Sequence, residues 1–385
     1  MGIREEELEK GTGMCYDACT TPARSFIGMK KIVLTGGGSA GHVTPNFALA
    51  AELERRGYEI SYIGSHDGLE KDMVEGEHLP YRSVSTGKLR RYFSLKNLTD
   101  PFRVIKGIGE AKKILQEEKP ALVFAKGGFV SLPVVKAAKK LGIPVFLHES
   151  DMSPGLANKL CFKDAEQIFC NFPETLKDLP AGRSFVSGCP IREELKQGSR
   201  EAALRLCGFS GEKPVLLQIG GSLGAQALNE MLREALPELL PHFDIIHLCG
   251  KGKLEKSAAR PGYVQFEFLS REMKDVFALT DIAFSRAGAN AICELLFLQI
   301  PALLVPFPRS ASRGDQILNA ESFAAQGFAK MVEQEDLTPA RLVRELLDLY
   351  ENRARYQEAM AQSSASDAAG FICDRIDRIT GGSGL

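Results

Sequence analysis

The sequence predicts an α/β protein built as two doubly wound lobes with a cleft between them. Three observations lead there. Short β-rich runs alternate with helix-length amphipathic segments. The alternation comes in two series separated by a weaker stretch, and each series opens on an apolar run that passes through glycines into a helix. A length of 385 residues suits two domains, each able to bury its own core.

In the first series, Lys31–Thr35, Glu59–Ile63, Ala121–Ala125 and Pro144–His148 read as strands. Pro45–Arg56, Pro101–Gln116 and Val130–Leu141 read as helices between them. Strands and helices in strict alternation form a parallel sheet covered on both faces. The rhythm weakens between about 160 and 213 and restarts at Pro214–Ile219. Ile245–Leu248, Val264–Phe268, Ile282–Phe284 and Ala302–Val305 follow. The expected organisation is an extension over 1–28, a first lobe over 29–190, a second over 191–364, and a C-terminal helix and tail over 365–385 that return to the first lobe. The extension is acidic at Glu5-Glu6-Glu7, lacks the apolar core of a secretory signal, and is expected to be disordered, with Met29 as the functional start.

Composition narrows the function. Hydrophobic residues at 44% and charged residues at 25% fit an ordinary globular protein, and 48 Lys+Arg against 49 Asp+Glu leave no basic excess for a nucleic-acid partner. The nine cysteines form no C-x-x-C pair, which argues against a zinc or redox motif and for reduced thiols in the cytoplasm. The longest uncharged apolar run, Leu295–Pro308, is too short to span a bilayer and contains Pro301 and Pro306. Charge is unevenly placed, however. Residues 82–140 carry 14 Lys/Arg and 4 Asp/Glu, a local +10 set against −11 elsewhere.

The motifs cluster at strand ends. Gly36–Gly41 matches G-x-G-x-x-G, but the second strand ends Tyr62-Ile63-Gly64-Ser65, without the acid a dinucleotide ribose needs. The loop is therefore expected to present free amides to an anion at a helix start. His42 ends it, placed to accept a proton near neutral pH, with packing as the plainer alternative. His148-Glu149-Ser150-Asp151 follows a strand, and its acids suit either proton chemistry or the capping of the helix after Pro154. In the second lobe, Ser285–Glu294 runs from a strand through Gly288 into a helix. Glu294 there needs a partner, either a ribose diol or Arg286. Arg313–Asn319 sets polar groups at another helix start.

Taken in order, these pieces resemble the MurG family of bacterial peptidoglycan N-acetylglucosaminyltransferases, from about Met29 to the C-terminal helix. The resemblance rests on Gly36–Pro45, Lys126-Gly127-Gly128-Phe129-Val130-Ser131, His148-Glu149, Pro154–Lys159, Gly188–Arg192, Gly220–Ala225, Ser285–Ala289 with Glu294, and Gln316 with Asn319. It implies the GT-B arrangement of two Rossmann-like lobes and transfer of N-acetylglucosamine from UDP-GlcNAc to the C4 hydroxyl of lipid I, giving lipid II with inversion. By the same resemblance Ser222 and Arg192 hold the diphosphate, Glu294 the ribose, and the backbone around Ala289 to Ala291 the phosphate and sugar, with Asn290, Ile292 and Cys293 counted in the donor site. Leu269 flanks the uracil, Asp315 and Gln316 meet the GlcNAc hydroxyls, and Ser39, Ala40 and Gly41 complete the donor site. No metal or other cofactor is implied. His42 is the expected base, with Glu149 or Asp151 as alternatives or as the group that orients it.

Three departures stand out. Ser39 and Ala40 replace the usual Thr and Gly, Ser150-Asp151 replaces Gln-Asn, and Gly314-Asp315 replaces Asn-His. Asp151 puts an anion where the family has an amide, which leaves the acceptor more open than the donor. A transferase with another lipid or soluble acceptor, a UDP-GlcNAc 2-epimerase-like isomerase and a non-catalytic sensor therefore remain alternatives. A lipid acceptor implies a peripheral position on the inner face of the cell membrane. The cationic and aromatic run Arg90-Arg91-Tyr92-Phe93 and the following basic helix are expected to meet its anionic surface.

Overall fold

The computed structural model describes residues 29–87, 100–221, 224–309, 314–363 and 367–381. The first lobe comprises β1 (Lys31–Thr35), α1 (Thr44–Arg55), β2 (Glu59–Ser65), α2 (Leu69–Gly76), β3 (Tyr81–Val84), α3 (Asp100–Glu118), β4 (Leu122–Ala125), α4 (Ser131–Leu141), β5 (Val145–Glu149), α5 (Leu156–Cys161), β6 (Gln167–Cys170) and β7 (Ser184–Val186). The second holds α6 (Arg200–Cys207), β8 (Val215–Ile219), α7 (Gln226–Leu239), β9 (Asp244–Leu248), β10 (Tyr263–Phe266), α8 (Met273–Leu279), β11 (Ile282–Ser285), α9 (Ala289–Phe297), β12 (Ala302–Leu304), α10 (Asp315–Ala325), β13 (Ala329–Met331), α11 (Pro339–Glu351) and α12 (Arg353–Ala361). The last helix is α13 (Ala368–Thr380).

Both sheets are parallel throughout, with the orders β3-β2-β1-β4-β5-β6-β7 and β10-β9-β8-β11-β12-β13. Their central strands read as unbroken apolar runs because helices cover both faces. Leu122-Val123-Phe124-Ala125 is wholly buried, as is Val215-Leu216-Leu217. In the first lobe α3 and α4 cover one face of the sheet, and α1 with α13 the other. In the second, α7 and α11 cover one face, opposite a layer that includes α9 and α10. The expectation of two doubly wound α/β lobes is met.

The strands and first-lobe helices to which the sequence gives bounds fall within one or two residues of them. The strands β3, β6, β7 and β13 are additions. β7 and β13 are three-residue strands that are only partly buried and so lack the apolar run that marks β12, and β3 is a half-exposed edge strand. Within the weak stretch, α6 is marked by its cap: Ser199 Oγ accepts the Ala202 N–H at 3.1 Å.

After α12 the chain recrosses to the first lobe, and α13 lies against α1. Ile372, Cys373 and Ile376 are fully buried there. The Arg56 guanidinium reaches Asp374 at 2.7 Å and Asp377 at 2.6 Å, and the Tyr58 hydroxyl donates to Asp377 at 2.6 Å.

Candidate active site

Each sheet reverses its winding at one place, between β1 and β4 in the first lobe and between β8 and β11 in the second. Ligands of open α/β sheets bind beyond the carboxyl ends of the strands at such points. Here both points open on one cavity of about 470 Å³. The first lobe contributes Ser39, Ala40, Gly41, His42, Ser150 and Asp151. The second contributes Gly221, Leu248, Phe268, Leu269, Met273, Ala289, Asn290, Ala291 and Glu294.

The first glycine loop differs from expectation. The Gly38 N–H donates to the buried carboxylate of Glu70 at 3.2 Å, and Ser65 donates to the same carboxylate through its amide at 3.1 Å and through its hydroxyl. A Cβ on Gly37 would lie 2.6 Å from Glu70 Cδ, so only glycine lets the loop pass. The loop thus carries its own anion, and the Gly38 amide is not free for a ligand's.

His42 closes the tight turn Ala40–His42, with Nδ1 3.0 Å from Ser39 Oγ. Burial, followed by the charge of Lys126, lowers its pKa to about 4 against the weaker pull of the Gly37 carbonyl and Glu70. The ring is neutral at physiological pH and able to take a proton. Glu149, by contrast, fastens its own loop. Its carboxylate accepts the Asp151 N–H at 3.1 Å, the Gly155 N–H at 3.0 Å and Asn158 Nδ2 at 2.8 Å. Its capping role is realised, while Asp151 is the acid that lines the cavity.

In the second lobe the first turn of α9 brings Ala289, Asn290 and Ala291 to the cavity, and Glu294 follows them on the same side. Burial raises the Glu294 carboxyl to about 7, with Arg192 opposing. The alternative partner, Arg286, points elsewhere. It donates to the Val305 and Pro306 carbonyls at 3.0 and 2.9 Å and to Gln334 at 2.6 Å. Ile292 and Cys293 do not line the cavity. The helical turn sends both side chains into the core of the second lobe.

Arg192 lines an adjoining small pocket with Glu294 and Asn290, and its guanidinium meets Glu77 of the first lobe at 3.4 Å. Leu269 lines the main cavity. Asp315 and Gln316 start α10, where Asp315 accepts from Ser153 of the first lobe at 2.9 Å and Gln316 accepts the Phe307 N–H at 3.2 Å. A further bond across the lobes runs from Asn290 Nδ2 to the Gly41 carbonyl at 3.2 Å. Ser222, Arg90, Arg91, Tyr92 and Phe93 lie outside the described residues. Sequence reasoning missed Glu70, a fully buried carboxylate that no local pattern marks, and Phe268 and Met273, which adjoin Leu269 on the cavity wall.

Residues 32–170 match the N-terminal domain of glycosyltransferase family 28, and residues 215–373 match its C-terminal domain. Fold, cleft and both matches define a two-domain glycosyltransferase. A UDP-N-acetylglucosamine--N-acetylmuramyl-(pentapeptide) pyrophosphoryl-undecaprenol N-acetylglucosamine transferase of Lachnospira eligens is 53% identical over 90% of this chain and 99% of its own length. The transferase of the same name from Clostridium kluyveri is 52% identical over 91% and 99%. The chain belongs to the family of these transferases. The crystal structure of Acinetobacter baumannii MurG superposes with a TM-score of 0.71 at 26% identity, covering 91% of this chain and 99% of that one. A UDP-N-acetylglucosamine 2-epimerase shares the fold alone, with a TM-score of 0.64 at 14% identity over 92% and 96%.

Proposed function

We propose that the chain transfers N-acetylglucosamine from UDP-GlcNAc to the C4 hydroxyl of the muramoyl unit of lipid I, giving lipid II with inversion in peptidoglycan synthesis. One observation carries the reading: His42 from the first lobe and a half-buried Glu294 from the second line a single cavity. Its volume falls within the ordinary range for small-ligand pockets.

The donor lies on the second lobe, its uracil against Leu269 and Phe268. Glu294 as carboxylate accepts the ribose hydroxyls. The amides at the start of α9, around Ala289 to Ala291, receive the diphosphate together with the glycine turn before α7. Ser222 and Arg192 are assigned to the diphosphate, and Asp315 and Gln316 to the GlcNAc hydroxyls, on family resemblance. Acceptor C4–OH attacks the anomeric carbon from the side opposite UDP. His42 takes its proton as the bond to the diphosphate oxygen breaks, and Asp151 orients the hydroxyl or the imidazolium. The departing negative charge rests on amides and cations, with no metal assigned to the donor site.

The acceptor's lipid puts the enzyme at the inner membrane surface. Among the described residues no helix is long and apolar enough to cross a membrane. Instead α3 exposes Phe102 (74%) and Ile105 (66%) beside exposed Arg103 and Lys106, a surface suited to shallow insertion among anionic headgroups. The run Arg90–Phe93 precedes it in sequence and is assigned to the same docking face.

The test is UDP release from UDP-GlcNAc with and without a lipid I analogue. Release that requires the analogue, with lipid II as product, is expected. Conversion of the nucleotide sugar without acceptor would transfer the reading to the isomerase class.

A further inference from the structure

Lys126 follows β4 at the switch point of the first sheet, and its side chain is fully buried. Its backbone N–H donates to the Thr35 carbonyl at 2.8 Å, tying it to the end of β1 where the glycine loop begins. Its ammonium donates to His148 Nδ1 at 2.9 Å and to the Ser150 hydroxyl. His148, also fully buried, has Nε2 2.9 Å from the Gly188 carbonyl. With Nδ1 accepting from the lysine, Nε2 carries the ring proton and donates it to Gly188. Among the described residues Lys126 has no carboxylate partner. A cation buried without a counter-ion opposes folding.

Its location suggests what it is retained for. A Cβ on Gly36 would lie 3.2 Å from Lys126 Cβ and 2.3 Å from the His42 carbonyl oxygen, so one glycine separates the two residues. A Cβ on Gly128 would lie 3.2 Å from His42 Nδ1, which sets the Lys126–Gly128 segment directly beneath the imidazole.

We propose that Lys126 is a positioning residue for the transfer: through Ser150 and His148 its ammonium fixes the turn that carries Asp151 into the cavity, and through the glycine loop its charge faces His42. The inference deepens the proposed function and rests on His42 as proton acceptor. The lysine's charge adds to burial in keeping the imidazole neutral. Glu70 of α2 pulls the other way, while the carboxylates of Asp151, Glu267 and Glu294 line the same cavity.

Two variants separate the grip from the charge. Lys126→Met keeps the apolar stem and removes both. Ser150→Ala removes one arm of the grip and leaves the charge. His42 titration is followed by NMR on protein carrying ¹³C-labelled histidine, its signal assigned by its absence from His42→Ala. Loss of the neighbouring cation stabilises the imidazolium. In Lys126→Met the His42 midpoint should therefore rise by about one pH unit. The acid limb of kcat should move upward with it, and kcat should fall about tenfold while the donor KM stays within about twofold. Ser150→Ala should lower kcat severalfold with the His42 midpoint unmoved. An unchanged midpoint in Lys126→Met, or wild-type kcat in Ser150→Ala, would overturn the proposal. The second measurement decides the matter if Lys126→Met does not fold. Should His42→Ala keep full turnover, the proton-acceptor reading is what fails, and the NMR midpoint still judges the lysine on its own.

Discussion

Burial pushes His42 and Glu294 alike toward their uncharged forms, yet the two consequences for turnover are opposite. As the proposed base, His42 works only when unprotonated. A pKa lowered to about 4 keeps it so through mild acid, and the acid limb it sets should fall near pH 4 instead of near 6.5. Replacing His42 by Ala should lower kcat by about 10²–10⁴ with donor affinity little changed, as steady-state kinetics and UDP calorimetry would report. The ribose contact proposed for Glu294 needs the carboxylate, and its pKa is raised to about 7. As pH falls through that value the carboxyl takes up a proton, so UDP affinity should weaken below pH 7. Glu294→Gln should bind UDP about tenfold more weakly at pH 8 and lose that pH dependence, read by calorimetry across the range. His42 was legible in the sequence because it ends a recognisable loop. Glu70 was not, because nothing in a short acidic amphipathic helix distinguishes one carboxylate that turns inward.

At the scale of elements, the glycine loop and α13 hold the site from behind. Glu70→Ala would strand the Gly38 N–H and both donors of Ser65, and should cost about 2–3 kcal/mol in denaturant unfolding. The terminal helix is no loose appendage. Ile376 is fully buried on the first lobe, and Ile376→Ala should cost about 2–5 kcal/mol. Long elements were readable from period and capping. Short strands with polar or half-exposed residues, such as β13 and β3, are defined by neighbours far away in sequence, and no apolar run announces them. The inward turn of the Ile292 and Cys293 side chains is equally hard to read. A motif read as a string treats consecutive residues alike, whereas a helix sends them to different faces.

For the whole molecule, the positional charge split gains definition once burial is known. Lys126, counted among the fourteen cations of 82–140, is enclosed behind the cleft and adds nothing to the surface, while Arg103, Lys106, Lys112 and Lys113 on α3 are exposed. Replacing Phe102 and Ile105 by Ser should weaken binding to anionic vesicles in flotation assays and leave activity on a soluble acceptor analogue intact. Raising salt should weaken the wild type further. The two-lobed plan was plain from the repeated strand–glycine–helix device, but which residues face one another across the cleft was not, since those pairings depend on how two separately wound sheets meet.

The return of α13 to the first lobe has a mechanical meaning. The backbone passes between the lobes twice, once between β7 and α6 and again between α12 and α13. Two covalent tethers restrict relative motion more than one would, leaving rotation about the line through both crossings as the easy mode. The contacts Asn290–Gly41, Asp315–Ser153 and Arg192–Glu77 then act as latches on that rotation. A ligand entering the cleft meets a door already hung on its hinge pins, with little freedom to slide or twist.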